Sequence, residues 1–449
     1  MIKAGFVSLG CAKNRVDTEV MLGLLSQRGI EITDDPAEAD VLIVNTCSFI
    51  DSAKDESITT ILQMADYKKT GKCRSLLVAG CLSERYRQGL LDEMPEVDAI
   101  IGTGAWHRIT EALDAVLTGQ RVMLIGDTDT LYDETMPRIH TTPEYSVYVK
   151  VADGCDNCCS YCVIPLVRGC FRSRRIESVV AEVTALAKAG VKEINLIAQD
   201  TTSFGKDLHD SAGIVDLLEE LVKIPDVPWI RLLYCYPRFF SDELIALIAR
   251  EEKILSYIDL PLQHIHDDIL AAMNRRDSSD DIRKLLAQIR DVIPGVALRT
   301  TFIVGFPGEE EEHFATLRQF MLEQKFDHVG IFTYSPEEDT LAAVMDHQVP
   351  EEIKEERYHE LMAIQAEITE KVNRSKEGQI VDVLIEGVAQ AEGNVVFGRS
   401  YREAPDVDGR IYIENPPAAI KAGDVIKARI VQGFAYDLVA EPCAEVGGA

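Results

Sequence analysis

The densest thiol pattern in the chain is Cys155-x3-Cys159-x2-Cys162. Thiolates are soft ligands that suit iron–sulfur clusters and zinc. A four-iron cluster is normally held by four cysteines, so three would leave one iron open to a small molecule. Cys158 keeps an alternative in play. With it the run reads Cys-x2-Cys-Cys-x2-Cys, the donor count of a structural zinc site. Adjacent Cys158 and Cys159 would then have to face one ion. Cys170 lies off this spacing and reads as a small buried residue.

A second set is spread out. Cys11, Cys47 and Cys81 each follow a short apolar run (Ile2–Ser8, Val41–Val44, Ser75–Ala79) within a few residues. Such runs suit buried parallel strands. The helical stretches Asp17–Arg28 and Ser52–Tyr67 follow the first two runs, which predicts an open α/β domain over residues 1–130. In an open parallel sheet the C-terminal strand ends converge on one crevice, where the three thiols can meet. Cys73 precedes its strand and belongs at the opposite edge. The competing reading is three unrelated buried cysteines. The central motif favours a second cluster.

The elements around the central motif follow a polar stretch containing Pro137 and Pro143. Six strand-like runs are expected: Val147–Ala152, Glu193–Ala198, Trp229–Tyr234, Tyr257–Pro261, Ala297–Val304 and His328–Tyr334. Helical stretches such as Ile176–Ala189, Ile214–Lys223, Asp242–Ile248 and Ser279–Val292 separate them. This spacing predicts a partial (β/α) barrel over residues 141–375, with a doubly wound sheet as the competing architecture. The cysteine motif sits just after the first strand. Gln199-Asp200, Tyr236-Pro237, Gln263-His264 and Gly305–Glu309 sit after later ones, where barrels place their active sites. Each has a plainer reading: Asp200 as a helix cap, His264 as a structural histidine, Gly305–Glu309 as a turn. Pro350–Glu377 is charged, with Leu361, Ile364 and Ile368 at helical spacing, as in an amphipathic helix packed between domains. Residues 376–441 hold Ile380–Ile385, Gly409–Ile413 and Val425–Val431 between Gly, Pro and Asp, which predicts a small antiparallel β-barrel.

Composition narrows the class. The 449 residues suggest two or three domains. No run of roughly 18 or more apolar residues marks a membrane span. The N-terminus reads straight into a strand rather than a signal peptide, so a cytoplasmic protein is expected. In a reducing compartment, eleven cysteines point to metal or catalysis rather than disulfides. The net charge of −29 counts against a nucleic-acid binder and leaves basic partners or mere solubility. Residues 376–441 carry 7 Lys/Arg against 11 Asp/Glu, so the terminal module is acidic too.

Gly154–Arg168, with Tyr161 just before the last cysteine, resembles the radical S-adenosylmethionine (SAM) signature. Ser8-Leu9-Gly10-Cys11, Asn45-Thr46-Cys47 and Ala79-Gly80-Cys81 resemble the N-terminal domain of the methylthiotransferase family, and the terminal barrel resembles its TRAM domain. The resemblance covers nearly the whole chain. It implies two [4Fe–4S] clusters: one on Cys155, Cys159 and Cys162 that cleaves SAM, and an auxiliary one on Cys11, Cys47 and Cys81 that presents sulfur. It places Tyr161 against the adenine of SAM; strand-end position adds Gln199 and Gly305 as SAM contacts. Cys158 departs from the family's usual polar or basic residue. Gln199-Asp200-Thr201-Thr202, Tyr234–Pro237 and Ala404–Gly409 resemble the branch acting on small-subunit ribosomal protein S-twelve, a basic protein, rather than the tRNA branch. The implied reaction inserts sulfur and a methyl group at the β-carbon of one aspartate. It requires an electron donor such as flavodoxin or ferredoxin, and a sulfur source.

Overall fold

The computed structural model describes residues 2–209, 212–389, 395–417 and 419–443. Residues 3–124 form a six-stranded parallel sheet in the order Glu31–Thr33, Lys3–Ser8, Val41–Thr46, Ser75–Gly80, Ala99–Ile101, Val122–Leu124. Every residue of Val41–Thr46 and Ser75–Gly80 is buried, as strands covered on both faces require. The three strands expected from the sequence are the adjacent central ones. The three short strands at the edges carry too few apolar residues to stand out. The first helix begins earlier than expected, at Ala12, and runs to Gln27; the second is Asp51–Thr70. Polar Lys13 and Asn14 hid its start, because they are buried rather than solvated.

The second sheet is also wholly parallel: Ser146–Lys150, Glu193–Ile197, Trp229–Leu232, Ile254–Asp259, Ala297–Val304 and His328–Thr333. Its spatial order is its chain order. A doubly wound sheet reverses direction at a switch point, so this order settles the architecture as a partial barrel of six (β/α) units. Helices Ile176–Lys188, Ile214–Leu221, Asp242–Arg250, Ser279–Val292 and Glu311–Gln324 pack on the outside and share one apolar core with the strands.

The helix Glu351–Arg374 buries Leu361 and Ile368 and packs against strand His328–Thr333 and the terminal barrel, as the amphipathic pattern predicts. The terminal module is a closed five-stranded barrel: Ile380–Ala389, Val395–Arg399, Ile411–Ile413, Leu438–Pro442 and Val425–Gly433. It corrects the antiparallel expectation at one place, since Ile411–Ile413 pairs parallel with Leu438–Pro442. Between its strands, Ser400–Asp408 plugs the partial barrel. Asp408 accepts from the Tyr257 hydroxyl at 2.6 Å and pairs with Arg299 at 3.3 Å. Glu193 pairs with Arg231 at 2.9 Å and with Arg399. Among the described residues, no helix is long and apolar enough to cross a membrane.

Candidate metal centres

The N-terminal set assembles at three adjacent strand ends. Cys11 and Cys47 lie just beyond theirs, and Cys81 opens the short helix Cys81–Tyr86 directly after the third. Hydrogen bonds lace the ends together. The Leu9 N–H donates to the Asn45 carbonyl at 2.9 Å. The Asn14 amide donates to the Leu9 and Thr46 carbonyls at 2.8 and 3.1 Å. The Thr46 hydroxyl donates to the Ala79 carbonyl at 2.6 Å. Glycine is required before two of the cysteines. Gly10 has φ +84°, and a Cβ there would meet the Cys47 Sγ at 3.2 Å; Gly80 has φ +94°, and a Cβ there would lie 2.3 Å from Asn45 Oδ1.

The thiols sense one another. Burial pushes the Cys81 thiol up to about 12, and Cys47 and Cys11 add to the rise. Cys47 is raised by burial and by Cys11. Desolvation would raise Cys11 as well, but Lys13 and Arg168 outweigh it and hold that thiol below its usual value. Cys73 is buried elsewhere, with its thiol toward the Ser75 carbonyl at 3.3 Å.

The central set sits on the loop after Asp153. Burial pushes Cys155 up to about 11 and also raises Cys162, where Cys159 and Cys155 add to the rise and Arg275 opposes it. Cys158 is exposed at φ +49°, its carbonyl accepting from the Asn274 amide at 2.7 Å. Cys170 is exposed, which corrects the reading of a small buried residue: it lies in the tight link between helix Ile164–Arg168 and strand Arg172–Ser173. Tyr161 packs edge-on to Phe306 with ring centres 6.5 Å apart. Arg275, buried over the Tyr236 ring, points one N–H at the Cys159 Sγ at 4.0 Å.

The other strand-end residues divide. The Gln199 amide donates to Asp153 at 2.7 Å, leaving its own buried oxygen without a partner. Asp200 caps the turn Thr201–Ser203 and also accepts from the Asn157 amide of the cysteine loop at 2.8 Å. A cavity of about 210 Å³ borders Cys155, with Asn157, Asp200, Lys206 and Arg276 in its wall. His264 is fully buried, accepts from the His266 N–H, and is driven down to about 3 by burial. Gly305 has φ +72° and its N–H donates to Glu309 at 3.0 Å; a Cβ there would strike the Lys354 side chain.

Two features escaped sequence reasoning. One is the buried network at the interface between the first two domains. Asp17 and Asp153 are both bridged by Lys150 and Arg168, with Arg168 at 2.9 Å from Asp17 and 3.1 Å from Asp153. The second is Ser335–Met345. Its buried Glu337 takes Lys54 and Arg85 of the first domain at 3.0 and 2.7 Å, while its Ala342 N–H donates to the Ser160 carbonyl at 2.9 Å. This segment therefore straps both cysteine regions. Charged residues at helical or loop positions look solvated in a sequence, so only the fold exposes these pairings.

Three cysteines with mutually interacting thiols, backed by a buried guanidinium, form a donor set that fits a thiolate-held cluster at each site. Comparison with known proteins identifies the relatives of each segment. Residues 3–102 match an uncharacterized protein family, UPF0004; residues 149–321 match the radical SAM superfamily; residues 378–443 match the TRAM domain. The ribosomal protein uS12 methylthiotransferase RimO of Syntrophotalea carbinolica is 52% identical over 98% of this chain and 96% of its own. Those of Trichlorobacter lovleyi and Geobacter sulfurreducens are 48% and 49% identical, each over at least 98% of both chains. Among solved structures, the radical SAM methyltransferase TsrM from Kitasatospora setae superposes with a TM-score of 0.58 at 15% identity, over 76% of this chain and 77% of that one. That likeness is one of fold.

Proposed function

The chain belongs to the ribosomal protein uS12 methylthiotransferases, and we propose from that membership that it inserts sulfur and a methyl group at the β-carbon of one aspartate of uS12. The observation that carries the reading is near-half identity along the full length of both chains, in a protein that gathers two separate cysteine trios. The substrate, a basic ribosomal protein, suits a chain of net charge −29. The reaction belongs in the cytoplasm and draws on an electron donor of the flavodoxin or ferredoxin class and on a sulfur source.

Cys155, Cys159 and Cys162 would hold one [4Fe–4S] cluster, and Cys11, Cys47 and Cys81 a second. Bound there, the clusters and two SAM molecules supply a carbon-centred radical, a methyl group and the sulfur to be transferred. The residues of the chain position and enclose. Tyr161 sits against Phe306 and offers an aromatic face beside the cysteine loop. Gln199 is held by Asp153 and keeps one oxygen free for a donor. Gly305 shapes the fifth strand end, where a side chain would drive Lys354 out. The Glu337 and Ala342 contacts tie the first domain and the central cysteine loop to one segment, which holds the two cysteine regions in fixed relation.

Anaerobic reconstitution followed by iron and sulfide analysis tests the two-cluster assignment. About eight irons are expected, falling to about four without Cys11, Cys47 and Cys81. About four in both proteins would leave only a generic radical SAM enzyme; zinc without iron would leave a metal-stabilised binding protein. Incubating loaded protein with SAM, dithionite, sulfide and either uS12 or tRNA tests the substrate. A methylthio group on a uS12 aspartate supports the reading. One on a tRNA base, with uS12 unmodified, overturns it.

A further inference from the structure

Arg168 is buried to 2% exposure between the two proposed cluster sites. One nitrogen of its guanidinium lies 2.9 Å from Asp17 and 3.1 Å from Asp153. The other donates to Asn14 Oδ1 at 3.1 Å and points at the Cys81 Sγ from 3.9 Å. Lys150 bridges the same two carboxylates. Two cations therefore already balance two anions, and the N–H toward Cys81 is not spent on counter-charge. On the other side, the adjacent Gly169 carbonyl accepts from the Cys155 N–H at 3.2 Å. Arg168–Gly169 thus touches one cysteine of each trio, and does so from a single short helix end.

We propose that Arg168 is a positioning residue that ties the two cluster sites together and, through its N–H toward the Cys81 sulfur, sets the reduction potential of the auxiliary cluster. The inference rests on reading Cys11, Cys47 and Cys81 as cluster ligands. A donor at a cluster sulfur stabilises the extra negative charge of the reduced state, and hydrogen bonds to sulfur are among the protein's levers on potential. The placement is also rigid. A guanidinium held in a fork by two carboxylates and an amide has little freedom to turn, so the spacing between the trios is fixed by the same side chain that tunes one of them.

The test uses the full chain with Cys155, Cys159 and Cys162 replaced by alanine, so that only the auxiliary cluster is present. If this protein binds no iron, the two-cluster reading fails and Arg168 is not at issue. With about four irons bound, Arg168→Lys keeps a charge for the two aspartates but has no second arm for Cys81. At a fixed applied potential, the reduced-to-oxidised ratio read by EPR is expected to fall roughly tenfold, or ~59 mV. An unchanged ratio with iron retained overturns the proposal, because a purely structural role would move thermal stability alone. Should the variant lose its iron, the protein with unaltered Arg168 decides. Grown with heavy-nitrogen arginine and reduced, it should show a weak arginine-nitrogen coupling in pulsed EPR. Absence of that coupling also overturns the proposal.

Discussion

The two cysteine trios solve one problem in opposite ways. The central trio lies within eight residues on one loop, Cys155 to Cys162, so its geometry is largely local. The N-terminal trio spans Cys11 to Cys81 and exists only because three neighbouring strands end in register. The first is robust to distant change and visible in the sequence. The second depends on glycines, strand-end hydrogen bonds and a buried arginine contributed by another domain. Each trio nevertheless has the same kind of support, a buried arginine directed at one sulfur: Arg275 at Cys159 and Arg168 at Cys81.

The largest expected effect separates the trios by role. Alanine at Cys155, Cys159 and Cys162 should abolish both SAM cleavage and methylthio transfer. Alanine at Cys11, Cys47 and Cys81 should abolish transfer while SAM cleavage persists, read as 5′-deoxyadenosine formed under dithionite. Methylthio product from the second variant would erase the distinction between the sites.

Gly80→Ala tests whether the N-terminal trio depends on backbone as claimed. Its φ of +94° with ψ of −153° is a glycine conformation, and the new Cβ would meet Asn45 Oδ1 at 2.3 Å and the Thr46 carbonyl at 2.7 Å. The backbone penalty alone is about 1–3 kcal/mol. The expected outcome is loss of most auxiliary iron with the central cluster retained. Full iron loading in this variant would mean that the strand ends tolerate what the central loop tolerates.

A third test concerns the helix that supplies Asn14 and Asp17. Burial would raise Glu19, but His140, Arg138 and the Thr141 N–H prevail and hold it down to about 2 against an ordinary 4.5. A depressed carboxylate stabilises the fold above its unfolded value, and that contribution is lost as pH falls from about 4.5 toward 2. The gap is worth about 3 kcal/mol at neutral pH. Glu19→Gln should therefore lower stability at pH 7 and flatten its decline in acid, measured by urea unfolding across that window. An unchanged acid limb would show that the helix is fastened mainly by the Asp17 network.

How much the sequence disclosed follows from how local each feature is. The spacing of the central motif and the six strand-like runs are short-range patterns, and the Ala297–Val304 and Ser279–Val292 bounds match the structure. The convergence of Cys11, Cys47 and Cys81 needed one added rule, that parallel strands end at one crevice. Lys150, Asp153, Arg168 and Asp17 were invisible, because a charged residue's partner across a domain interface leaves no periodic trace. Ala404–Gly409 was legible as a family-like segment but not as a barrel plug, since nothing local says that Asp408 will meet Tyr257 and Arg299.

The smallest expected effect bears on Cys158, the residue that kept zinc open. A four-thiolate ion needs Cys158 and Cys159 turned toward the same point. Here Cys158 is exposed in a left-handed conformation, while Cys159 is the charge that most raises the Cys162 thiol after burial. Cys158→Ser should therefore leave about eight irons, the brown colour and SAM cleavage unchanged. Loss of the central four irons would instead make Cys158 a ligand, and the central site would then resemble a closed, fully ligated one with no position left for SAM. The contrast between a local trio and an assembled trio would fail with it, since the local site would have four donors and a structural rather than a reactive role.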